Sequence, residues 1–434
     1  MMTSLAALLL GLIAQGDAPA PPLCQVTDYG AVADDARLDD AGLEAAMIDC
    51  ARSGGTVVIP RGVFVTGGVN LRSGVTLHLA GGAVLRGSSR LSDYRTVREG
   101  ERQAQGVVTA VNVEDAAITG SGTIDGSGGD FWTEGDARPE GAVVVHGCRN
   151  LAIRGVTVRD PARYNGRMTD CDGVVVDGIT IRAPALAPNS DGLQIRDSAD
   201  VRISNCDIIT GDDAIVLKAS HRPVERILIT NCRLTSDDAA IKFGTGSRTV
   251  TRHVTVTNTV ITDSRYGIAL FMQDGGVYED SRFTDLIIQT GSRHVRDYPI
   301  FVDVDSREGG GPHGTIRNIT FDGLDIRTGG NILIGGQADA PVTGLTLSDI
   351  RMTIEDAIDP TATTGKPRGN RLQAQRTGAA DFSGEVGHIV LGHAQDTIVR
   401  NVRITETESA DRRPALVERE TGNTLVDLAP GSGR

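Results

Sequence analysis

Aromatic side chains make up only 3% of this 434-residue chain, and there is a single Trp. Such a chain cannot build its core around large rings and is left with Val, Ile and Leu. These recur in short runs broken by Gly, Asn and Asp, the pattern of many short strands joined by tight turns. Lysine is almost absent: Lys218, Lys242 and Lys366 are the only three, and Arg supplies the other basic charges. No basic stripe appears and the net charge is -13, which excludes a nucleic-acid partner. An acidic polysaccharide would feel long-range repulsion, but salt screens this beyond about 10 Å, so any anion site must be local. Long apolar runs are also missing. The longest near the N-terminus, Leu5 to Ile13, is too short to span a bilayer. Followed by small residues, it reads as a signal peptide over residues 1–18, without the usual positive start. The expectation is a secreted or periplasmic monomer with no membrane partner.

What is present in quantity is glycine, 54 residues, within a chain that is 39% hydrophobic. Length alone would suggest two or three domains, yet a solenoid has no size limit set by a spherical core. Residues 24–434 are accordingly read as one domain. Its opening holds a helix over Asp39–Ala51, with apolar residues at helical spacing, suited to capping an open solenoid end. Strand-like runs follow at Thr56, Val75 and Ala83. Cys24 and Cys50 flank the helix and are the best candidate disulfide. Cys148, Cys171, Cys206 and Cys232 recur every 23, 35 and 26 residues, which suits stacking in a core better than bridging.

From about residue 107 a repeat takes over. One column aligns Val174-Val-Val, Leu193-Gln-Ile, Ile215-Val-Leu, Ile241-Lys-Phe and Ile268-Ala-Leu. A second aligns Val201, Ile227 and Val254, each followed by Asn205, Asn231 or Asn258. A registered repeat with an Asn column predicts an all-β fold, a right-handed parallel β-helix with an N-terminal capping helix, rather than a sandwich. Further turns fall near 283–290, 316–327, 332–336 and 342–353. The stretch 355–383 reads as a polar loop, and the last strands lie near 388–404 and 415–427.

Two motifs carry chemistry: Asn189-Ser-Asp191-Gly and Gly211-Asp212-Asp213-Ala. They sit at the same place in adjacent coils, and stacked coils are about 4.8 Å apart. The three carboxylates should therefore cluster and raise one another's pKa, leaving one protonated as an acid while another acts as base. Asp191 and Asp213 share the parity of inward residues, so strict alternation would bury them. The turn before each strand is where the alternation can reset. Turn-forming Asp and an oxygen-lined calcium site are the competing roles for these residues.

Here the chain resembles the polygalacturonase family, glycoside hydrolase family 28, over roughly residues 24–350. Asp28-Tyr-Gly-Ala and Gly54-Gly-Thr-Val-Val-Ile-Pro-Arg-Gly are weak signals. Thr123-Ile-Asp-Gly126, Trp132 and Arg138-Pro139 are more specific, and the two Asp motifs are strongest. The resemblance implies glycosidic hydrolysis with inversion, without metal or other cofactor. Asp212 would be the general acid, and Asp191 and Asp213 would activate water. A pectin-type polysaccharide or oligosaccharide is the implied substrate and partner, placing the enzyme in cell-wall carbohydrate metabolism.

The sequence then departs from the family. Where Gly-His-Gly is expected it has Asp237-Asp238-Ala239, so Asp238 stands at the His position. Where Arg-Ile-Lys would hold a galacturonate carboxylate it has Ala269-Leu-Phe271. The substrate is therefore expected not to be plain polygalacturonate. Residues read as substrate-binding are Asn189, Lys218, Asp238, Lys242, Arg265, Gln273 and Asp274. Lys242 either holds a sugar carboxylate or pairs with Asp238 four residues earlier. Trp132, Tyr164 and His221 are further candidates for sugar contact. Two other readings stay open: a calcium-assisted polysaccharide lyase, and a non-catalytic glycan-binding β-helix.

Overall fold

The computed structural model describes residues 21–132, 137–291, 297–307, 311–355, 366–368, 371–373, 382, 384–408, 410 and 412–429. The signal-peptide segment 1–18 lies outside them. Twelve parallel strands form one sheet in strict chain order, from Val69–Asn70 through Gly106–Val111, Gly141–His146, Tyr164–Thr169, Leu193–Arg196, Ile215–Lys218, Ala239–Phe243, Tyr266–Met272, Tyr298–Val304, Ile332–Gly335 and Ile389–Gly392 to Leu416–Arg419. The remaining parallel strands wind round the other faces, each paired with its counterpart one coil on. This is the expected right-handed parallel β-helix.

The capping helix runs Asp40–Cys50 and buries Leu43, Ala46, Met47 and Cys50. Cys24 and Cys50 form a disulfide, and the other four cysteines are free and buried. One apolar cluster extends from Cys24 to Ala415 along the inside of the coil. It is the linear core that repeat stacking creates. Of the few rings it holds, Phe283 stacks on Phe321 at 5.1 Å, and Phe243 meets Tyr278 edge-on at 5.2 Å.

The Asn column is a ladder. Asn231 donates to Asn205, Asn258 donates to Asn231 at 3.3 Å, and Asn205 donates to Asp177 at 2.7 Å. All three have positive φ, 57°, 54° and 47°, a left-handed conformation that Asn tolerates better than most residues. The turn needs that conformation, and the amide satisfies its neighbour in the next coil.

One alignment was displaced. Val174 does not stack under Leu193; it pairs with Val201 on a different face. The strand beneath Leu193-Gln-Ile is Gly166-Arg167-Met168. Both segments offer apolar residues in alternation, so periodicity could not separate them; only pairing decides. The polar stretch 355–383 falls largely outside the described residues, but it contains a short antiparallel pair, Lys366–Arg368 with Arg371–Gln373.

Candidate active site

Asp191 and Asp213 directly precede the strands Leu193–Arg196 and Ile215–Lys218, and Gly192 N–H donates to the Asp213 carbonyl. The two residues are thus in register one coil apart. The alternation does reset here. Ala214 and Ile215 both enter the core, as do Ala240 and Ile241 one coil later. Two successive inward residues turn Asp213 to the outer face of the sheet, where its Oδ1 meets Lys242 Nζ at 3.0 Å. The glycines of both motifs are forced by close approach. A Cβ on Gly192 would meet the Ala214 carbonyl at 2.4 Å, and one on Gly211 would meet two carbonyls at 2.6 Å.

Oxygens of Asp212, Asp213 and Asp238 all lie within 4.8 Å of one another. Asp191, Asp212 and Asp213 are 3–4% exposed. Burial, then the neighbouring charge of Asp212, pushes the Asp191 carboxyl up to about 7. Burial pushes Asp213 up to about 6, against the pull of Lys242. Lys242 also reaches Asp238 Oδ2 at 3.4 Å. It therefore makes the expected internal pair, plus a second with Asp213 that sequence spacing did not reveal. Its ammonium keeps its proton firmly in the field of these acids.

The acids are held through their backbones. Thr210 and Ser236 hydroxyls donate to the Asp212 carbonyl at 2.6 and 2.8 Å. Asn165 donates to the Asp191 carbonyl at 3.1 Å, and Gln194 Nε2 donates to its carboxylate at 3.1 Å. Asn165 and Gln194 were missed as site residues. The signal for Asn165 was register with Asp191, which required the displaced column to be placed correctly; Gln194 stands three residues after Asp191 in the same coil.

The other expected residues divide. Lys218 lies on the outer face and makes no ion pair or side-chain hydrogen bond among the described residues; its charge acts on both Asp191 and Asp213. Arg265 is 3% exposed, 3.9 Å from Asp238 and 5.0 Å over the Tyr266 ring. Asn189 is a turn residue with φ 55°, its side-chain carbonyl held by Arg138 at 2.7 Å.

Gln273 and Asp274 are not brought to the aspartates. They follow the strand Tyr266–Met272, whose first residue continues the Asp213 column, so they lie roughly 20 Å further along the strand direction. Gln273 binds the buried Asp303 at 3.2 Å, and Asp274 accepts from Arg307 at 2.6 Å and Gly246 N–H at 2.7 Å. Both line a separate cavity of about 470 Å³ with Arg248 and Arg307. Trp132 donates to the Pro161 carbonyl, and Arg167 stacks on Tyr164. His221 spans Asp170 and Asp197 at 3.0 and 2.9 Å.

A fold and acid cluster of this kind have relatives. A probable polygalacturonase of Vitis vinifera is 25% identical over 70% of this chain, although the match takes in only 60% of that enzyme. An endo-polygalacturonase of Pectobacterium carotovorum subsp. carotovorum is 23% identical over 67% of this chain and 78% of its own length. The solved family 28 exopolygalacturonase of Yersinia enterocolitica superposes with a TM-score of 0.72 at 18% identity, covering 94% of this chain and 79% of that one; it speaks for the fold alone. The pattern of glycosyl hydrolases family 28 itself matches residues 51–366, most of the coil and every acid described above, so the chain belongs to that family and is a glycosidase.

Proposed function

We propose that this glycosidase hydrolyses a pectin-type glycan other than plain polygalacturonate, with inversion, through Asp191, Asp212 and Asp213. The observation that carries the substrate reading is the fate of the positions where the family has its basic pair. Ala269 is 0% and Phe271 8% exposed, within an apolar cluster. A uronate carboxylate placed there would lose water and find Lys242, 5.0 Å from the Phe271 ring, already paired with Asp213 and Asp238, a loss of several kcal/mol in order of magnitude. A sugar without a carboxylate at that subsite, as in rhamnogalacturonan-like or neutral glycans, avoids the penalty.

Asp212 is the proton donor in this reading. Asp213 keeps its negative charge because Lys242 is 3.0 Å away, and it activates the attacking water beside Asp191. A calcium-assisted lyase is disfavoured in this reading because the Lys242 ammonium already sits against both Asp213 and Asp238. The Cys24–Cys50 disulfide supports action in an oxidising compartment outside the cytoplasm.

The test is product analysis across a polysaccharide panel, with Asp212→Asn as control and NMR of the first anomer released. Turnover of polygalacturonate alone would sink the substrate reading, and a retained anomer would sink inversion. Products absorbing in the ultraviolet would instead point to elimination. Unchanged function in Asp212→Asn would favour a binding role.

A further inference from the structure

The outer face of the twelve-stranded sheet changes character abruptly past the aspartates. In one column, successive coils place Asp191, Asp213, Ala239, Tyr266 and Tyr298. In the next they place Arg167, Gln194, Val216, Lys242, Ala269, Phe301 and Leu333. Acid and polar groups give way to rings within two coils. Tyr266 stacks on Tyr298 at 5.6 Å, meets Phe271 edge-on at 5.6 Å, and Phe301 lies 5.0 Å from both Phe271 and Tyr298. These rings are 0–8% exposed. Phe382, from a distant segment, closes the same cluster: its ring lies over Gly392, where a Cβ would sit only 2.4 Å from it. Lys242 Nζ lies 5.0 Å from the Phe271 ring centre, so the acid cluster abuts the rings.

We propose that this aromatic block is the end wall of the cleft, so that the enzyme cleaves at the end of a glycan chain rather than within it. The inference rests on the hydrolase reading above. A polymer cut internally needs accessible floor on both sides of the reacting acids. Two coils past Asp213, about 10 Å, the floor is a cluster of rings only 0–8% exposed, so a sugar finds no accessible surface there. On the opposite side the floor stays partly exposed. Arg167 and Arg196 have side chains 22% and 31% exposed, and each is paired with an acid, Glu140 and Asp197. Lys218 lies next in the Arg196 column and leans over Gly244, which has no side chain to displace it. An acidic glycan therefore enters from the N-terminal side, a carboxylate near Lys218, which makes no ion pair among the described residues, and its uncharged end sugar against Phe271.

A time course with the full chain on whichever acidic polymer it turns over tests this. New reducing ends, viscosity and product sizes by mass spectrometry are followed together. The expected result is one or two small products from the first minutes, with viscosity falling only as the polymer is consumed. A ladder of intermediate sizes with early viscosity collapse would overturn the wall and leave the hydrolase reading intact. No new reducing ends from any glycan would overturn both. In Phe271→Ala, folding checked by its thermal midpoint, intermediate sizes should appear; Phe271→Leu, which refills the space, should keep the parental pattern. Identical product sets in all three proteins would also count against the wall.

Discussion

Lys242 offers the sharpest probe of the site, because its ammonium lies 3.0 Å from Asp213. Lys242→Met removes the charge and keeps the apolar stem. At that distance and an effective dielectric of about 20, the attraction is about 5 kcal/mol before desolvation is subtracted. An opposite charge this close typically lowers a carboxyl pKa by about 1–3. Wild-type Asp213, pushed up to about 6, is half ionised at pH 6. If the pKa rises by about 2 in the variant, the ionised fraction falls to about 1%, a loss of roughly 50-fold in kcat/KM at pH 6. The deficit should shrink as pH rises toward 8, because the base is then recovered. Lys242→Arg, which retains the charge, should restore most of the low-pH activity. The assay is a kcat/KM profile from pH 4 to 9 for the three proteins. A loss of equal size at every pH, or an acid limb that does not move, would refute the claim that Lys242 acts by holding charge on Asp213.

Asp303 is fully buried, and burial pushes its carboxyl up to about 7. Below the unfolded value near 4, both states hold the proton and the group has no effect. Between about 4 and 7 the unfolded state alone ionises, so stability falls as pH rises, then levels off. Asp303→Asn, still able to accept from Gln273, should therefore stabilise by a few kcal/mol at pH 7.5 and by little at pH 4; equal thermal midpoints at pH 7.5 would contradict this. Cys24→Ser should cost about 3 kcal/mol, the chain-entropy expectation for closing a 26-residue separation, read from denaturant midpoints with and without reductant. Asn231→Ala should cost about 1–2 kcal/mol and Asn231→Gly less, since glycine accepts the left-handed turn and loses only the ladder. An equal loss in both would assign the whole effect to the amide ladder.

The sequence by itself determined the coil. Short Val and Ile runs at a registered spacing, and Asn at one left-handed turn, are local requirements of strand and turn, and each coil repeats them. The same register brought Asp191, Asp212 and Asp213 together, because stacking leaves neighbouring coils no freedom to slide once one face is buried. Tertiary structure alone decided what lies between coils of like pattern. Val174 and Gly166 could not be told apart as the partner beneath Leu193, so Asn165 went unseen beside Asp191. Outward direction at Asp213 depended on Ala214 and Ile215 both turning inward, which alternation does not foretell. Gln273 and Asp274 looked close to the acids because they follow an altered motif, yet the strand's own rise carries them to its far end. The aromatic wall was also invisible, since Tyr266, Phe271, Phe301 and Phe382 are scattered through the chain. Only the pairing of coils, and the packing of a remote segment over Gly392, gathers them against the acids.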